Sequence, residues 1–437
     1  MSFLSKIKGV VSNTPPRLGI WLAYLPFDIR LGNKYTSFKK NSEVKPEKKY
    51  IFNGMYKLVS HAAEHIPFYK YHYEKVGFDY RKLKYFEDLV EIPIINKSDL
   101  QKFSLEERKV AFKKGIKTNT GGTSGQPLDL ILDSNAYSQE WAHMHTIWQG
   151  LGYKTSSIKL TLRGMNLGSH PIKYNFIHNE FQINAYCDFK LVVESLTKLV
   201  ARYKIEYIHG YPSAIYEFAK ALSERQPSLV KSLRKNLKGI FLGSEYPVPI
   251  YREFAEKVFG VPSISWFGHT EMAVLAREVS QKLVYHPFHS YGYAESVEID
   301  DKKHLLGTTL HNYVSPLIRY DTGDLISPVS FNDGVLESFK VTEGRIGEFV
   351  IDNNGRSISL TALIFGRHHK LFEVADFVQV QQKKPGNLVV IVTTEFKDMN
   401  YDKLFDSSGV SMNIEFKVVN QPYKTKSGKV SLLVKDI

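Results

Sequence analysis

The chain has 437 residues, 43% hydrophobic and 24% charged, which is enough apolar content for two or three domains with sizeable cores. Fifty-eight Lys and Arg against 45 Asp and Glu leave +13 at pH 7, a balance that suits a nucleotide, a nucleic acid or an anionic membrane surface. The single cysteine, Cys187, excludes an internal disulfide framework and any multi-cysteine metal site, and points to a reducing, cytoplasmic setting.

Residues 1–48 read as an irregular, basic lead-in, with Pro15-Pro16 and the lysine-rich Lys39 to Lys49. Inside it, Leu18 to Phe27 is apolar but short, contains Pro26 and ends at Asp28. It lacks the length of a membrane span and the layout of a secretion signal, so it predicts a packed or surface-adhering segment. Apolar residues at 55, 58, 59 and 62 then predict a helix with one buried face.

The middle of the chain alternates strands and helices. Tyr207–Tyr211, Gly239–Ser244 and Ser263–Phe267 read as strands, with helices over Pro212–Ser223 and Pro249–Phe259. That alternation predicts a parallel α/β sheet. Past Tyr291 the pattern becomes strands with turns, Tyr293–Ile299 and Thr308–Tyr313. A boundary falls at Thr342-Glu-Gly-Arg345, followed by a small α+β unit. Its strands are Leu388–Thr393 and Ile414–Val419, flanking a helical stretch near Asp402–Phe405.

Four segments can carry chemistry. In Lys117-Thr-Asn-Thr-Gly-Gly-Thr-Ser-Gly-Gln-Pro-Leu128, Gly121, Gly122 and Gly125 let backbone N–H groups approach an anion. Thr120, Thr123 and Ser124 add hydroxyl donors, and the bland alternative is a polar hairpin turn. No Gly-Lys-Ser/Thr closes the loop, so it is not a Walker P-loop. Phe267-Gly268-His269-Thr270-Glu271 offers an aromatic face for a purine and a carboxylate for a divalent cation; the alternative is a strand-to-helix turn capped by Thr270. In Ser315 to Asp324, the final Asp324 suits a ribose diol, which presents two adjacent donors; the alternative is a surface turn. Pro422-Tyr-Lys-Thr-Lys-Ser-Gly-Lys429 reads alone as a solvated basic tail.

Together and in this order, with Gly344-Arg345 between the third and fourth, these segments resemble the adenylate-forming ligase superfamily. The resemblance is to its phenylacetate–CoA-ligase-like branch, of the capsular-polysaccharide-biosynthesis type. It extends to Leu25-Pro-Phe-Asp-Ile-Arg-Leu-Gly32, His65-Ile-Pro-Phe-Tyr69, Glu87-Asp-Leu through Pro93, and Asn96-Lys-Ser-Asp-Leu100. It thus covers the chain from about residue 20 to the end.

The resemblance implies an α/β fold with mixed and parallel sheets in a large N-terminal domain, residues 1–343. A small mobile α+β domain, 344–437, follows a hinge at Gly344-Arg345. It implies ATP-dependent activation of a carboxylic acid as an acyl adenylate, with pyrophosphate released and Mg2+ required. Residues 120–125 would hold the β- and γ-phosphates, Glu271 the Mg2+ ion, and Thr270 the α-phosphate. Phe267 and Gly268 would meet adenine opposite Gly243, Ser244 and Glu245, Asp324 the ribose, and Arg345 the ribose or phosphates. Lys429 would enter from the small domain to the reacting oxygens.

Coenzyme A is the acceptor the family implies by default; an amine or a sugar nucleotide is the alternative, which the capsular resemblance raises. Three positions depart from the family pattern: Gln126 where lysine is common, Phe267 in place of tyrosine, and Gly347 where an acidic hinge residue is usual. Tyr137, Trp141 and His145, just after the loop, are placed by proximity as acyl-pocket residues. The histidine pairs 143/145, 286/289 and 368/369 have no acidic or cysteine partners at ligand spacing and read as structural. A polyanion-binding protein without catalysis is the reading from another class, but no nucleic-acid motif accompanies the charge. Peripheral contact with a membrane remains open to the basic N-terminal segment.

Overall fold

The computed structural model describes residues 14–32, 34–111, 113–119, 128–163, 165–244, 247, 249–343, 349–360, 363–364, 367, 369–375, 377–423 and 432–434. Residues 120–125, Glu245 and Arg345, assigned to the nucleotide site by sequence, the Gly344-Arg345 hinge and the expected catalytic Lys429 lie outside the described residues.

The lead-in is not irregular where it is described. It folds as three short helices, Pro16–Leu22, Phe27–Leu31 and Tyr35–Ser42. Prolines 15 and 16 start the first of them, because a fixed φ and a missing N–H suit a helix N-terminus. The 48–65 helix follows, with Met55, Leu58, Val59 and Ala62 all buried, as their spacing predicts.

A hairpin of β1 (Ile116–Asn119) and β2 (Asp129–Leu132) comes next, paired from Ile116↔Leu132 to Asn119↔Asp129. The main sheet then begins with β3 (Lys159–Leu162), β4 (Ile172–Asn175), β5 (Glu180–Ile183), β6 (Tyr207–Gly210), β7 (Gly239–Leu242) and β8 (Ser263–Gly268). All but the edge strand β4 run parallel, in the order β8-β7-β6-β3-β5. Every residue of β3, β6 and β7 is buried, as expected of parallel strands covered on both faces. The helices Pro212–Arg225 and Pro249–Phe259 contribute Ile215, Ala219, Ala255 and Phe259 to the core on one face.

At β8 the sheet turns antiparallel and continues through β9 (Leu275–Glu278), β10 (Tyr285–Pro287), β11 (Tyr293–Ile299), β12 (Lys302–Thr308), β13 (Tyr320–Asn332) and β14 (Val335–Glu343). The expected strand over Thr308–Tyr313 is displaced. It occupies Lys302–Thr308, and the chain then turns, with the Asn312 N–H donating to Thr309 O and the Asn312 side-chain amide donating to Ile131 O and Ser315 O. With its Oδ1 accepting from the N–H groups of Val314 and Ser315 as well, the side chain satisfies four backbone groups and outcompetes the ladder.

The small C-terminal unit has a hairpin of β15 (Phe349–Ile351) and β16 (Ser357–Ser359) and a sheet of β17 (Phe377–Lys384), β18 (Asn387–Thr393) and β19 (Asn413–Val419). β18 and β19 pair in parallel from Asn387↔Asn413 to Thr393↔Val419, with the helical turn Tyr401–Lys403 in the connection. Its core, including Val350, Leu363, Val378, Val390 and Leu432, is drawn from its own residues. It rests on the body where the Arg367 guanidinium stacks 4.1 Å over Tyr186 and Asn166 Nδ2 donates to Ser408 Oγ at 2.7 Å. No helix among the described residues is long and apolar enough to cross a membrane.

Candidate active site

The hairpin that carries residues 120–127 is fixed at its base. Asn312 Nδ2 donates to Ile131 O of β2 at 2.9 Å, and Gly115 lies so close that a Cβ there would meet Leu132 O at 2.4 Å. β2 leads directly into the Ala136–Gln149 helix, and Leu132, Asp133, Ala136 and Gln139 line a small cleft with Met272, Thr309 and Asn312. The open end of the hairpin, opposite the end from which residues 120–127 depart, therefore abuts Met272, the residue that follows Glu271.

That segment is not a strand-to-helix turn. Residues 269–274 turn the chain from β8 into the antiparallel β9, so Thr270 caps no helix and is exposed. Met272 N–H donates to His269 O, and Met272 adopts φ 55, a left-handed conformation costly for a side-chain-bearing residue. Ser244, just past β7, does the same at φ 69. Held strain of this kind, of order 1–3 kcal/mol each, collects at functional sites.

Glu271 is buried, at 7% exposure, and among the described residues its one charged neighbour is His269, whose Nδ1 lies 3.9 Å from Oε2. Both ring nitrogens of His269 are buried without a hydrogen-bond partner. A buried imidazole with neither nitrogen satisfied among the described residues is costly unless something else completes it. Oxygen donation from Glu271 suits a hard divalent cation.

Phe267 packs at the margin of a cluster with Val274, Leu305, Ile326 and Phe339, its ring edge-on to Phe339 at 5.5 Å. The same cluster ties this turn to the Thr322-Gly323-Asp324 segment. That segment is not a surface turn. It is a bulge inside β13, where His304↔Leu325 and Leu306↔Asp321 leave extra residues on one strand. Gly323 adopts φ 75 there, Thr322 Oγ1 donates to Leu305 O at 2.8 Å, and Asp324 is 8% exposed. A bulge re-aims a side chain, here the Asp324 carboxylate. Gly292 and Gly307 draw the strands together: a Cβ on Gly307 would sit 2.7 Å from Ala273 Cβ. On the other side, a Cβ on Gly243 would lie 2.0 Å from Trp266 Cζ2, so only glycine lets the end of β7 close onto the indole.

Of the three residues expected from the sequence in an acyl pocket, the structure separates one from the others. Tyr137 is half exposed, at 50%, because it lies on the outer side of its helix. Trp141 and His145 face inward. The Trp141 ring is 4.1 Å from His178, and His145 Nδ1 is hydrogen-bonded to the Tyr35 hydroxyl at 2.8 Å. Around them gather residues that sequence reading missed: Trp148, Lys159, His178, His209 and Trp266. Lys159 Nζ is buried above the Trp148 ring at 5.3 Å and donates to Tyr153 Oη and His178 O. His145 Nε2, His178 Nδ1, His209 Nδ1 and Trp148 Nε1 are all buried without a partner among the described residues. The signal available in sequence was thin: a lysine and a histidine inside two otherwise apolar parallel strands.

Burial dominates the electrostatics here. It pushes Lys159 down to about 8, with the nearby Glu180 carboxylate opposing the shift. It pushes His178 down to about 4 and His143 to about 3, and His145 and His209 well below their ordinary value. These imidazoles are neutral at pH 7. Above pH 6.5 the folded and unfolded chains are alike in this respect. As pH falls from 6.5 towards 4, the unfolded chain takes up protons that the folded one refuses, at about 1.4 kcal/mol per pH unit for each such ring. The thermal midpoint should therefore fall steeply below pH 6.5, and His178→Asn should reduce the steepness, as calorimetry across pH 4.5–7.5 would show.

Neither a protein-family model nor a curated protein matches the sequence. Solved structures do match the fold. The 2-hydroxyisobutyryl-CoA ligase in complex with its 2-HIB-AMP and CoA in the thioesterification state aligns with 89% of this chain and 89% of its own, at TM-score 0.55 and 17% identity. The same ligase in an open conformation aligns over 89% and 91%, at TM-score 0.51 and 17% identity. The fold is thus the mixed α/β architecture of adenylate-forming ligases: a large sheet with helices followed by a small α+β unit.

Proposed function

We propose that this protein activates a carboxylic acid as an acyl adenylate and then transfers the acyl group to an acceptor, with coenzyme A the first candidate. The observation that carries the reading is the ordered motif set, whose described members occupy strained or buried backbone positions around one turn and one bulge. A fold shared with a ligase that was solved with an acyl-AMP and CoA supports it.

A carboxylate is a poor electrophile because its leaving group would be an oxide. In the proposed reaction an oxygen of the acid attacks the α-phosphorus of ATP in line, the bond to the bridging oxygen breaks, and pyrophosphate departs with that oxygen. Little covalent work falls to the protein; alignment and charge neutralisation dominate. The hydroxyls of Thr120, Thr123 and Ser124 and the loop amides would hold the triphosphate, without the lysine that Gln126 replaces. Glu271 would supply the oxygen ligand for Mg2+, which neutralises phosphate charge. Thr270, exposed beside it, would meet the α-phosphate. Phe267 and Gly268 would meet adenine opposite Gly243, Ser244 and Glu245, Asp324 would accept from the ribose diol, and Arg345 would lie near the ribose or phosphates. Lys429 would offset the negative charge that develops at the reacting oxygens.

The division into residues 1–343 and 344–437 belongs to the same proposal. A self-contained core in the small unit, and a polar and stacking contact with the body, suit a unit that repositions between two half-reactions. Trp141 and His145, with His178, His209 and Lys159, would line the acyl pocket. Neutral imidazoles, each with one nitrogen unpartnered among the described residues, favour an acid whose own polar groups complete them.

Pyrophosphate release should require ATP, Mg2+ and one class of acid when amino, aryl, short-chain and sugar acids are screened. No release with any acid, from protein shown to bind ATP, would sink the reading. The resemblance to the capsular branch, carried by Leu25–Gly32 and His65–Tyr69, favours a second reading of the acceptor as an amine or sugar nucleotide. A thioester product would exclude it, and an amide or ester would establish it.

A further inference from the structure

We propose that the N-terminal helices form a docking surface for anionic membranes, an inference that stands apart from the catalytic reading. The Pro16–Leu22 and Phe27–Leu31 helices are held firmly to the body on one side. A Cβ on Gly19 would meet Tyr174 Cε1 at 2.3 Å, Ala23 and Phe27 are buried, and the Arg30 guanidinium donates to Ile177 O and Thr155 O at 3.0 and 3.2 Å. Their other side is apolar and faces water. Trp21, Tyr24 and Ile29 are 68%, 75% and 70% exposed, with Leu18 and Leu25 beside them. Five large apolar residues within twelve positions, on a segment already anchored, do not form a surface that water favours.

Charge selects the partner. Residues 1–42 contain seven Lys and Arg (positions 6, 8, 17, 30, 34, 39 and 40) and one acid, Asp28, a net of +6 out of the whole chain's +13. The Asp28 carboxylate is already occupied by the backbone N–H and hydroxyl of Thr36. Arg17, on the first of these helices, and Lys34 and Lys40, on the segment that follows them, are exposed. An aromatic and aliphatic ridge on a cationic segment matches the bilayer interface, where Trp and Tyr rings sit at headgroup depth and each nearby Lys or Arg strengthens attraction to anionic lipid. Helices of seven and five residues lie along such a surface and do not enter it as spans. The ridge also sits above the pocket side chains, since Phe27 packs edge-on against His145 at 4.7 Å. Docking would therefore bring that side of the protein to the bilayer.

The full-length protein should co-sediment with vesicles of mixed phosphatidylglycerol and phosphatidylcholine, and poorly with phosphatidylcholine alone. Trp21→Glu with Ile29→Glu should cut partitioning about tenfold or more, and Lys34→Glu with Lys40→Glu should weaken it and flatten its salt dependence. All four side chains are exposed, so thermal midpoints should match wild type; the salt dependence of the unmodified protein tests the electrostatic part without any variant. Equal binding to both vesicle types, or apolar variants that bind as wild type, would overturn the proposal. So would a variant that shifts a dimer to monomer in sedimentation while the wild type ignores vesicles, because the ridge would then be a protein interface.

Discussion

Glu271→Gln should lower acid-dependent pyrophosphate release by about 10²-fold or more, while leaving the thermal midpoint unchanged. The two halves of this expectation come from the same geometry. Glu271 is 7% exposed, and its nearest cationic candidate among the described residues is His269 Nδ1 at 3.9 Å, beyond hydrogen-bond reach. Among the described residues no hydrogen bond reaches this carboxylate, so an isosteric amide breaks none and leaves the folded state intact. The same amide is a far weaker ligand for a hard divalent cation, so the Mg2+ concentration needed for half-maximal rate should rise. Wild-type activity in Glu271→Gln would remove the residue from the site. A loss of stability of more than about 1 kcal/mol would show instead that the carboxylate holds the turn together.

Lys429→Ala should separate the two half-reactions. Formation of the acyl adenylate should fall by about 10²- to 10³-fold, because the charge that develops around the α-phosphorus loses its neutralising partner. Transfer of the acyl group from a supplied acyl adenylate to the acceptor should stay near the wild-type rate, since no phosphorus–oxygen bond is made or broken in that step. An equal fall in both would assign the lysine to general nucleotide binding. Single-turnover measurement of each half-reaction distinguishes these outcomes.

Much of the fold was legible because burial leaves a period in the sequence. Met55, Leu58, Val59 and Ala62 announced a helix face, and Pro212 and Pro249 marked helix starts. The errors occurred where a local hydrogen bond or a tertiary pairing replaced the expected continuation. Asn312 ended a strand by bonding its own surroundings, and β9 captured the chain after Thr270 where the motif taken alone favoured a helix. The three lead-in helices are too short to show periodicity, and tertiary contacts of Gly19, Phe27 and Arg30 hold them.

By itself, the sequence determined the order of the motifs, the alternating middle, the change to strands and turns past Tyr291 and the concentration of positive charge near the N-terminus. These are linear properties, set by residue type and spacing. Only the tertiary structure decided that Asp324 sits on a bulge, that Ser244 and Met272 are held left-handed, and that Tyr137 parts from Trp141 and His145. It alone gathered Lys159, His178 and His209, and it turned Trp21, Tyr24 and Ile29 outward together. Each of those outcomes depends on which distant strand or helix a residue meets, and spacing along the chain does not encode that.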